Sequence, residues 1–486
     1  MRNENTGNIK TVDAVVIGGG VLGCFAARNL LRWNLSVLLI EEKEDVCTGI
    51  TRANSAIVYS GYDNKAGSRK AQMTVRGNAG FEELCRELDV PFKRCGSLAV
   101  ASGPCGEQVL RRKYENGMKN EVPGLRLLSG TEARAMEPHL SENVTIALYA
   151  PTTGTVNPWK LGIAAYESAR QNGCRVWLNT KVTGIEKAGQ GYLVECEPNT
   201  ENHLTLKNQR VSCQAVLNCA GLCSDQVQEF LFPPSVRLFP DGGGYLVFNH
   251  DAPGPEHIIF QEAENGKGIT AVPTVERNLL AASPKRELPQ EWFATDDGVF
   301  EIMKQMGAET LPRVDFTQVI RSFGAVRPNP HRVVQNEQKQ YVPDGKSIGS
   351  FSIENPAPGF YSLIGIKTPG LTCADELGMY LAKQTAEYLN VSENPAFDPV
   401  RKGIPSVHSM DYEQRADWVA GHPEYGEIIC LCEDISRGEI LEAIRRGAVT
   451  VDGVKRRVGA GLGQCQGSRC SQKIAAVIKE FAEQYR

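Results

Sequence analysis

The sequence lacks several features that would place a chain of 486 residues in an obvious class. Its first ten residues, MRNENTGNIK, contain no apolar core, so we expect no secretory signal peptide. No apolar run is long enough, or free enough of glycine and charge, to predict a membrane span. The net charge of −4 is small and gives no reason to expect nucleic acid or an anionic membrane as a partner. We therefore expect a cytoplasmic globular protein of about two to four domains.

Two redox-related patterns are also missing. Cys47 has no second cysteine four or five residues later, which argues against the redox-active disulfide of the glutathione reductase class. The GAGLGQ segment that begins at Gly459 has glutamine where a dinucleotide motif has its last glycine, so we do not expect direct reduction of NAD. Because a reducing cytosol disfavours structural disulfides, eleven of the fifteen cysteines are interpreted as small core residues.

A dinucleotide-binding unit is predicted at residues 12–41. The apolar run VDAVVI is typical of a buried parallel strand, and an apolar helix pattern and a second strand, SVLLI, follow it. Between the first strand and the helix, Gly18 permits a tight turn, Gly20 lets the backbone approach a pyrophosphate, and Gly23 lets the helix pack on the strand. Glu41 ends the second strand and can accept hydrogen bonds from ribose hydroxyls. The alternative is a glycine-rich turn with no ligand.

Two further segments predict close approach of the backbone to a long ligand. The strand-like AVLNCAGLCSD ends in a loop of small residues at 215–225. In GFYSLIGIKTPGLT, Gly365 and Gly370 would let the backbone approach a flat ring, and a helix that begins near Leu371 would point its positive end there. Three separate segments whose backbone can approach a ligand closely suit a long ligand such as FAD. The predicted FAD contacts are Gly18, Gly20, Gly23, Glu41, Arg52, Ser55, Ala220, Gly221, Gly365, Gly370, Leu371 and Thr372.

Five stretches of the sequence resemble one family: TRANSAIVYSGYDNKAGSRKAQ, PTTGTVNPWKL, CAGLCSD, FGAVRP and GIKTPGLT. They are similar to the D-amino-acid-oxidase-like FAD oxidoreductases, and above all to anaerobic-type glycerol-3-phosphate dehydrogenases and L-2-hydroxyglutarate dehydrogenases. The resemblance covers nearly the whole chain. It implies that FAD binds with its isoalloxazine ring between a nucleotide domain and a β-rich substrate domain.

Four C-terminal cysteines are spaced like metal ligands. Cys430 and Cys432 form a C-x-C pair, and Cys465 and Cys470 lie in the glycine-rich GAGLGQCQGSRCSQ. Four soft thiolates suit zinc or an iron–sulfur cluster, although zinc ribbons more usually have C-x-x-C pairs. Free thiols are the remaining alternative. Between the pairs, SRGEILEAIRRGA predicts a helix with a capping box.

The C-x-C pair facing a glycine-flanked second pair resembles the bacterioferritin-associated ferredoxin module. The longer second spacing and the CQG sequence resemble the C-terminal domain of anaerobic glycerol-3-phosphate dehydrogenase large subunits. The resemblance implies a 2Fe–2S cluster on these four cysteines. The VGAGLG segment is either a flexible loop or a source of backbone N–H groups around the cluster sulfurs.

The predicted fold class is α/β plus α+β, with a Rossmann-like FAD-binding domain, an interleaved β-rich substrate domain and a small helical iron–sulfur domain. Residues 1–390 are expected to form the oxidoreductase part. A proline-rich linker at 391–427 would leave the module at 428–486 separable. The interleaved boundaries are about 1–90, 150–225 and 325–390 for FAD binding, and about 91–149 and 226–324 for the substrate domain.

Hydride transfer from a C–H(OH) or C–H(NH2) carbon requires an anchor for the substrate anion and a group that takes a proton. Arg327, in FGAVRP, is the preferred anchor because its planar guanidinium suits a carboxylate or phosphate; the alternative is a structural ion pair. Lys367, in GIKTPG, lies in the predicted flavin-contacting turn. Arg52 and Lys65 are further candidates for binding the anion.

Three tyrosines are candidate pocket residues, and Tyr59 is also a candidate catalytic residue. The resembled families commonly have histidine at this position, and histidine is a better base near neutral pH. Either Tyr59 only hydrogen-bonds the substrate, or the base lies elsewhere, or the substrate differs from the family's usual one. Tyr62 and Tyr245 either face the pocket or are core aromatic residues.

Together the motifs predict a dehydrogenase with an internal electron relay, because a flavin takes two electrons and an iron–sulfur cluster passes one at a time. The expected substrate is a small hydroxylated anion, glycerol 3-phosphate first and an L-2-hydroxy acid second. A partner protein, rather than NAD, is expected to accept the electrons. The alternatives are a subunit of an amino-acid or imino-acid dehydrogenase complex and a non-catalytic electron-transfer or iron-sensing subunit.

Overall fold

The computed structural model describes residues 10–199, 209–250, 252–263, 266–287, 293–295 and 297–484. The strands in this part of the chain are β1 Lys10–Ile17, β2 Val37–Ile40, β3 Ile57–Val58, β4 Phe92–Lys93, β5 Ser97–Ala101, β6 Arg126–Ser129, β7 Ile146–Ala150, β8 Gly154–Val156, β9 Arg175–Trp177, β10 Thr180–Ala188, β11 Gly191–Pro198, β12 Gln209–Asn218, β13 Val236–Leu238, β14 Asp241–Phe248, β15 Ile258–Ala263, β16 Gly266–Pro273, β17 Leu279–Ala282, β18 Val319–Arg327, β19 Pro330–Gln335, β20 Tyr341–Pro343, β21 Ser352–Ala357, β22 Phe360–Ile364, β23 Ile428–Cys430 and β24 Ile435–Ser436.

The helices are α1 Val21–Leu30, α2 Arg69–Glu87, α3 Gly103–Lys119, α4 Gly130–Met136, α5 Pro158–Gln171, α6 Ser224–Glu229, α7 Asp297–Thr310, α8 Ala374–Leu389, α9 Tyr412–Gly421, α10 Arg437–Arg445, α11 Val451–Val458 and α12 Ser471–Gln484. Among these described helices, none combines the length and the apolar composition that a membrane crossing requires.

The first large sheet has the order expected of a Rossmann-like unit. Strands β9, β2, β1, β12 and β22 run parallel in that order, and β10 and β11 continue from β12 as an antiparallel meander. The apolar residues of β1 and β2 are buried on both faces: one face packs on α1 and α8, and the other packs on residues of β10 and β11. The predicted strand–helix–strand order at the start of the chain is confirmed, with α1 beginning at Val21, directly after the glycine loop.

A second, mixed sheet has the order β18-β14-β17-β16-β15-β5-β7-β6. Its two faces bury separate apolar clusters, one around Leu148 and Val272 and the other around Phe248 and Met303. The predicted strands GGYLVF and ITAVPT correspond to β14 and β16. This sheet supplies the β-rich part that was expected beside the nucleotide-binding sheet.

The C-terminal module is built from β23, β24 and the helices α10, α11 and α12 around its own apolar core. The predicted capping box is present, since Ser436 Oγ accepts from the Glu439 amide at 3.2 Å and Glu439 accepts from the Ser436 amide at 2.9 Å. The core includes Cys430 and Cys470, so two candidate ligands also serve as core residues.

The segment 391–427, predicted to be a linker, contains α9 and packs on the nucleotide-binding part. Arg401 donates to Glu167 on α5 at 2.7 Å, and Arg446 of the module reaches the same carboxylate at 3.0 Å. In addition, Arg321 of the second sheet donates to Gln466 of the module at 3.3 Å. The module therefore contacts both other parts, while the boundaries proposed above remain a prediction.

Candidate functional site

The glycine motif lies at the carboxyl edge of the first sheet. Ile17 is opposite Ile40 on β2 and opposite Asn218 on β12. The residues that follow these three, among them Gly18 and Glu41, therefore meet at one edge. In open α/β sheets this edge, beside the start of a helix, is where nucleotides bind.

The three motif glycines have different surroundings. Gly18 has φ +98°, and a Cβ there would lie 2.6 Å from the Cys219 carbonyl oxygen. A Cβ on Gly23 would lie 1.8 Å from the Gly18 carbonyl oxygen, so only glycine lets α1 start so close to β1. Gly20 is the N-cap of α1, whose first turn carries no acidic side chain. This geometry fits a phosphate group at Gly20.

Glu41 is held in place by the backbone. Its Oε2 accepts from the Gly19 amide at 2.6 Å and its Oε1 from the Lys43 amide at 2.9 Å. Burial raises the pKa of Glu41, although these two amides oppose the shift. Each carboxylate oxygen keeps a second lone pair, so ribose hydroxyls could donate to it without displacing either amide.

A cleft of about 730 Å³ extends from the glycine motif to the second sheet, a size typical of cofactor sites. Around Gly221, with φ +59°, an added Cβ would meet no atom within 4 Å, so the backbone borders open space. The cleft thus has the volume and the bare backbone that suit FAD. The predicted residues that line it are Gly18, Gly20, Glu41, Arg52, Ser55, Tyr59, Ala220, Gly221, Tyr245, Arg327, Lys367, Gly370 and Leu371.

Five candidates lie outside the lining: Gly23, Tyr62, Lys65, Gly365 and Thr372. Lys65 is exposed, and Tyr62 is buried in a core cluster of the second sheet. A Cβ on Gly365 would lie 2.8 Å from Leu238, so this glycine serves close packing.

The turn after Gly370 also differs from expectation. Helix α8 begins at Ala374, three residues after the predicted start at Leu371. Thr372 is buried, and its Oγ1 accepts a hydrogen bond from the Tyr59 amide at 2.9 Å. It therefore fixes the segment that carries Tyr59 while lying behind the cleft surface.

A cationic cluster surrounds the buried carboxylate of Asp241, and two of its cations, Arg327 and Lys367, line the cleft. Asp241 accepts from Lys285 at 2.8 Å and from Asn329, and Arg327 lies 3.7 Å from its other oxygen. Lys367 donates to Asn329 Oδ1 at 2.7 Å. Burial lowers the pKa of Lys367, and the charges of Lys285 and Arg327 lower it further against the opposing effect of Asp241. Three cations face one carboxylate, which leaves the cluster positive.

Aromatic side chains form a wall beside these cations. Tyr59 stacks on Phe260 with ring centroids 6.0 Å apart, and Tyr245 stacks on Phe323 at 4.8 Å. Burial raises the pKa of Tyr245 to about 12, so its hydroxyl stays protonated and can donate. The guanidinium of Arg52 lies 4.6 Å from the ring centroid of Phe293.

The four C-terminal cysteines come together as two pairs. The thiol of Cys465 lies near that of Cys432 and raises the pKa of Cys432. The thiol of Cys430 lies near that of Cys470, and burial and Cys430 together raise the pKa of Cys470. Among the described residues, no three His, Cys, Asp or Glu side chains converge as ligands of a single metal ion would. Two pairs fit the two irons of a 2Fe–2S cluster better than one tetrahedral zinc.

The glycine-rich loop lies directly against these thiols. A Cβ on Gly463 would be 2.6 Å from the Cβ of Cys432, so glycine is needed where the two cysteine segments meet. The amides of Arg469 and Gly467 hydrogen-bond to Cys465 and lower the pKa of its thiol. These two amides lie between Cys465 and Cys470 and not in VGAGLG, so the role expected of the VGAGLG amides stays a prediction.

The eleven other cysteines are mostly buried, as expected of core residues. Burial raises the pKa of several of these thiols to about 12, which leaves them protonated and unreactive. Cys105 and Cys223 are the exposed ones.

Sequence reasoning missed several residues in and beside the cleft. Asp241, Lys285 and Asn329 belong to the cationic cluster beside it, and the glycine- and proline-rich segments PDGGG and VRPNP give no signal that Asp241 and Asn329 are buried. Asp452 and Arg456 of the C-terminal module line the cleft, and their distance along the chain gave no indication of this.

Comparison with known proteins gives the class. Residues 13–384 match the family model described as FAD dependent oxidoreductase, and residues 428–480 match that of the BFD-like 2Fe-2S binding domain. The chain therefore belongs to the FAD-dependent oxidoreductase family and ends in a 2Fe–2S-binding domain. The expected fold class, enzyme class and both cofactors are confirmed.

Individual relatives are similar over most of the chain. "Glycerol 3-phosphate dehydrogenase" of Caloramator mitchellensis is 36% identical, covering 96% of this chain and 93% of its own length. An anaerobic glycerol-3-phosphate dehydrogenase subunit of Escherichia coli is 24% identical over 98% of this chain and 89% of its own. The FAD-bound L-alpha-glycerophosphate oxidase structure from Mycoplasma pneumoniae shares the fold, with a TM-score of 0.69, 21% identity, and coverage of 81% of this chain and 99% of its own.

Proposed function

We propose that this enzyme oxidises a small hydroxylated anion of the glycerol 3-phosphate type and passes the electrons through its cluster to an acceptor protein. The observation that carries the substrate class is the positive cluster of Arg327, Lys367 and Lys285 around Asp241. A neutral or cationic substrate would gain nothing from the excess positive charge, whereas phosphate or carboxylate would neutralise it.

Different side chains bind the substrate anion and orient it. Arg327 presents a planar fork to the anion, and Asp241 and Asn329 hold the surrounding cations in position. Tyr59 and Tyr245 offer hydroxyl groups to the substrate's own hydroxyls. Bound FAD would supply the two-electron acceptor, and the stacked aromatic wall would exclude water from its neighbourhood.

The arrangement of the cysteines supports electron exit towards a partner. Cys430 and Cys470 are buried, whereas Cys432 is exposed and Cys465 is half-buried. Leu431, between the first two ligands, is 71% exposed. One edge of the cluster would thus face the interior and the opposite edge the surface, where an acceptor protein can approach.

The names of the relatives support the same substrate class. Two relatives that span nearly the whole chain are named glycerol-3-phosphate dehydrogenases. The second candidate is an L-2-hydroxy acid, because human "L-2-hydroxyglutarate dehydrogenase, mitochondrial" is 31% identical over 50% of this chain and 53% of its own length. A carboxylate would satisfy the same cations.

Flavin absorbance under anaerobic conditions tests the proposal. Purified protein is mixed with glycerol 3-phosphate, L-2-hydroxyglutarate, proline or glycerol, the last being the matched control without phosphate. Bleaching by glycerol 3-phosphate and not by glycerol is expected. Bleaching by proline alone would favour the amino-acid class, and no bleaching by any donor would favour a non-catalytic subunit; either result contradicts the proposal.

A further inference from the structure

Helix α11 of the 2Fe–2S domain forms part of the wall of the FAD cleft. Asp452 and Arg456 are four residues apart, hence on one helix face, and both line the cleft. Asp452 is exposed at the rim, whereas Arg456 is only 9% exposed. A buried cation from another domain is an unusual component of a cofactor cleft and requires a counter-charge.

The anchor of α11 is Asp45, in the loop that follows Glu41. Asp45 accepts from Arg456 Nη2 at 2.8 Å and from Arg457 at 2.7 and 2.9 Å. A Cβ on Gly453 would lie 3.3 Å from Asp45 Oδ2, so glycine lets the helix approach the loop closely. The same loop continues through Thr51, whose Oγ1 accepts from the Val21 amide at the start of α1.

The charges of this triad do not balance. Asp45 supplies one negative charge to two guanidinium groups, and Arg457 takes both of its oxygens. Within the described part of the chain, the Nε atoms of both Arg456 and Arg457 are buried without a hydrogen-bond partner. Arg457 does not line the cleft, and Arg456 does. Asp45 therefore leaves one excess positive charge on the two arginines, and Arg456 is the one that reaches the cleft.

We propose that Arg456 binds the pyrophosphate of FAD, so that the 2Fe–2S domain completes the FAD site. The proposal rests on FAD occupying this cleft. Because Arg456 also holds Asp45, FAD binding and docking of the domain reinforce each other. Loss of the flavin would loosen the domain, and an undocked domain would bind FAD less tightly.

The test compares Arg456→Gln with Arg457→Gln, since both variants break an ion pair to Asp45 and only one residue faces the cleft. Apoprotein is titrated with FAD, and flavin fluorescence gives the dissociation constant. The Arg456→Gln variant should bind FAD about 10- to 100-fold more weakly, the effect of one charge-assisted hydrogen bond. Arg457→Gln, which weakens docking without removing a cleft residue, should weaken FAD binding less than Arg456→Gln does, and Arg456→Lys should recover part of the loss.

The outcomes separate this inference from the site assignment. Unchanged FAD affinity in Arg456→Gln, or equal loss in both variants, overturns a direct contact. Gly20→Val serves as the control for the cleft itself: if it abolishes FAD binding while Arg456→Gln binds FAD as tightly as the parent, the cleft is right and the inference is wrong. If Gly20→Val retains FAD, the cleft assignment fails. A second readout is proteolysis in 391–427, which FAD should slow in the parent and not in Arg456→Gln.

Discussion

The carboxylate of Asp45 accepts two hydrogen bonds from the guanidinium of Arg457, at 2.7 and 2.9 Å, in a buried pair that joins the nucleotide-binding loop to the 2Fe–2S domain. The residues are 412 positions apart in the chain. Paired, planar contacts of this kind fix orientation as well as distance. The flavin and cluster sites are therefore held in one defined arrangement, which an electron relay requires.

Asp45→Asn should destabilise the protein by about 3–5 kcal/mol, because it leaves two guanidinium groups buried beside a neutral amide. Unfolding in urea, followed by flavin fluorescence and by cluster absorbance, measures the effect. Asp417→Asn is the matched control, since Asp417 is exposed on α9. Equal stability of the two variants would show that the pair does not hold the domains together.

Lys367→Met should raise KM for the anionic substrate about 10-fold or more, since one charged contact is lost. The lowered pKa of Lys367, caused by burial and by the nearby Lys285 and Arg327, adds a pH signature. Its charge is lost at a pH below that of a free lysine, so kcat/KM should fall on the alkaline side. Lys367→Arg should remove the alkaline fall in kcat/KM. Lys65→Met, at an exposed site, should change neither KM nor kcat/KM.

Cys432→Ser should remove or cripple the cluster and stop onward electron transfer. Substrate should still bleach the flavin, because hydride transfer needs only the cleft. Excess FAD is added to each sample. The flavin content then stays full even if the 2Fe–2S domain, which contains α11, docks less firmly without its cluster. Iron and flavin are counted on the same sample, and reduction of an external acceptor dye is followed. Cys105→Ser is the control, because Cys105 is an exposed cysteine outside the two pairs. A Cys432→Ser protein that kept its iron would refute the assignment of Cys432 as a cluster ligand.

Glu137→Gln should cost about 3 kcal/mol of stability at pH 7. Burial alone would raise the pKa of Glu137, but hydrogen bonds from His257 and His139 lower it to about 2. A depressed carboxyl pKa stabilises the fold above the unfolded value of about 4.3, and this contribution is lost as the pH falls towards 2. Urea unfolding at pH 7 and pH 3 should show that the difference in free energy of unfolding between the parent and Glu137→Gln is smaller at pH 3. Glu142→Gln, at an exposed site, should show none at either pH.

The parts that could be predicted from the sequence are those in which a short segment determines its own geometry. Gly18 needs its positive φ because of the turn that it forms, and the Ser436–Glu439 capping box is complete within four residues. The cysteine pairs were recognisable by spacing alone. The helix expected near Leu371 begins at Ala374, and no local pattern indicates that the buried Thr372 accepts a hydrogen bond from the distant Tyr59 amide.

The rest of the site depends on such distant contacts. Asp241 and Asn329 act by holding Arg327, Lys285 and Lys367, and no local pattern indicates which carboxylate pairs with which cation. For the same reason, the segment before the module gives no sign of the buried ion pairs by which Asp45 holds α11 against the nucleotide-binding loop.

The most direct test of the relay is anaerobic stopped-flow absorbance, with freeze-quench electron paramagnetic resonance of the same mixture. On mixing with glycerol 3-phosphate, the account predicts bleaching of the flavin first, followed by the signal of a reduced 2Fe–2S cluster, before any acceptor is added. In Cys432→Ser only the first step should remain. A cluster signal that appears before flavin bleaching, or a flavin that bleaches while the parent cluster stays oxidised when no acceptor is present, would contradict the account.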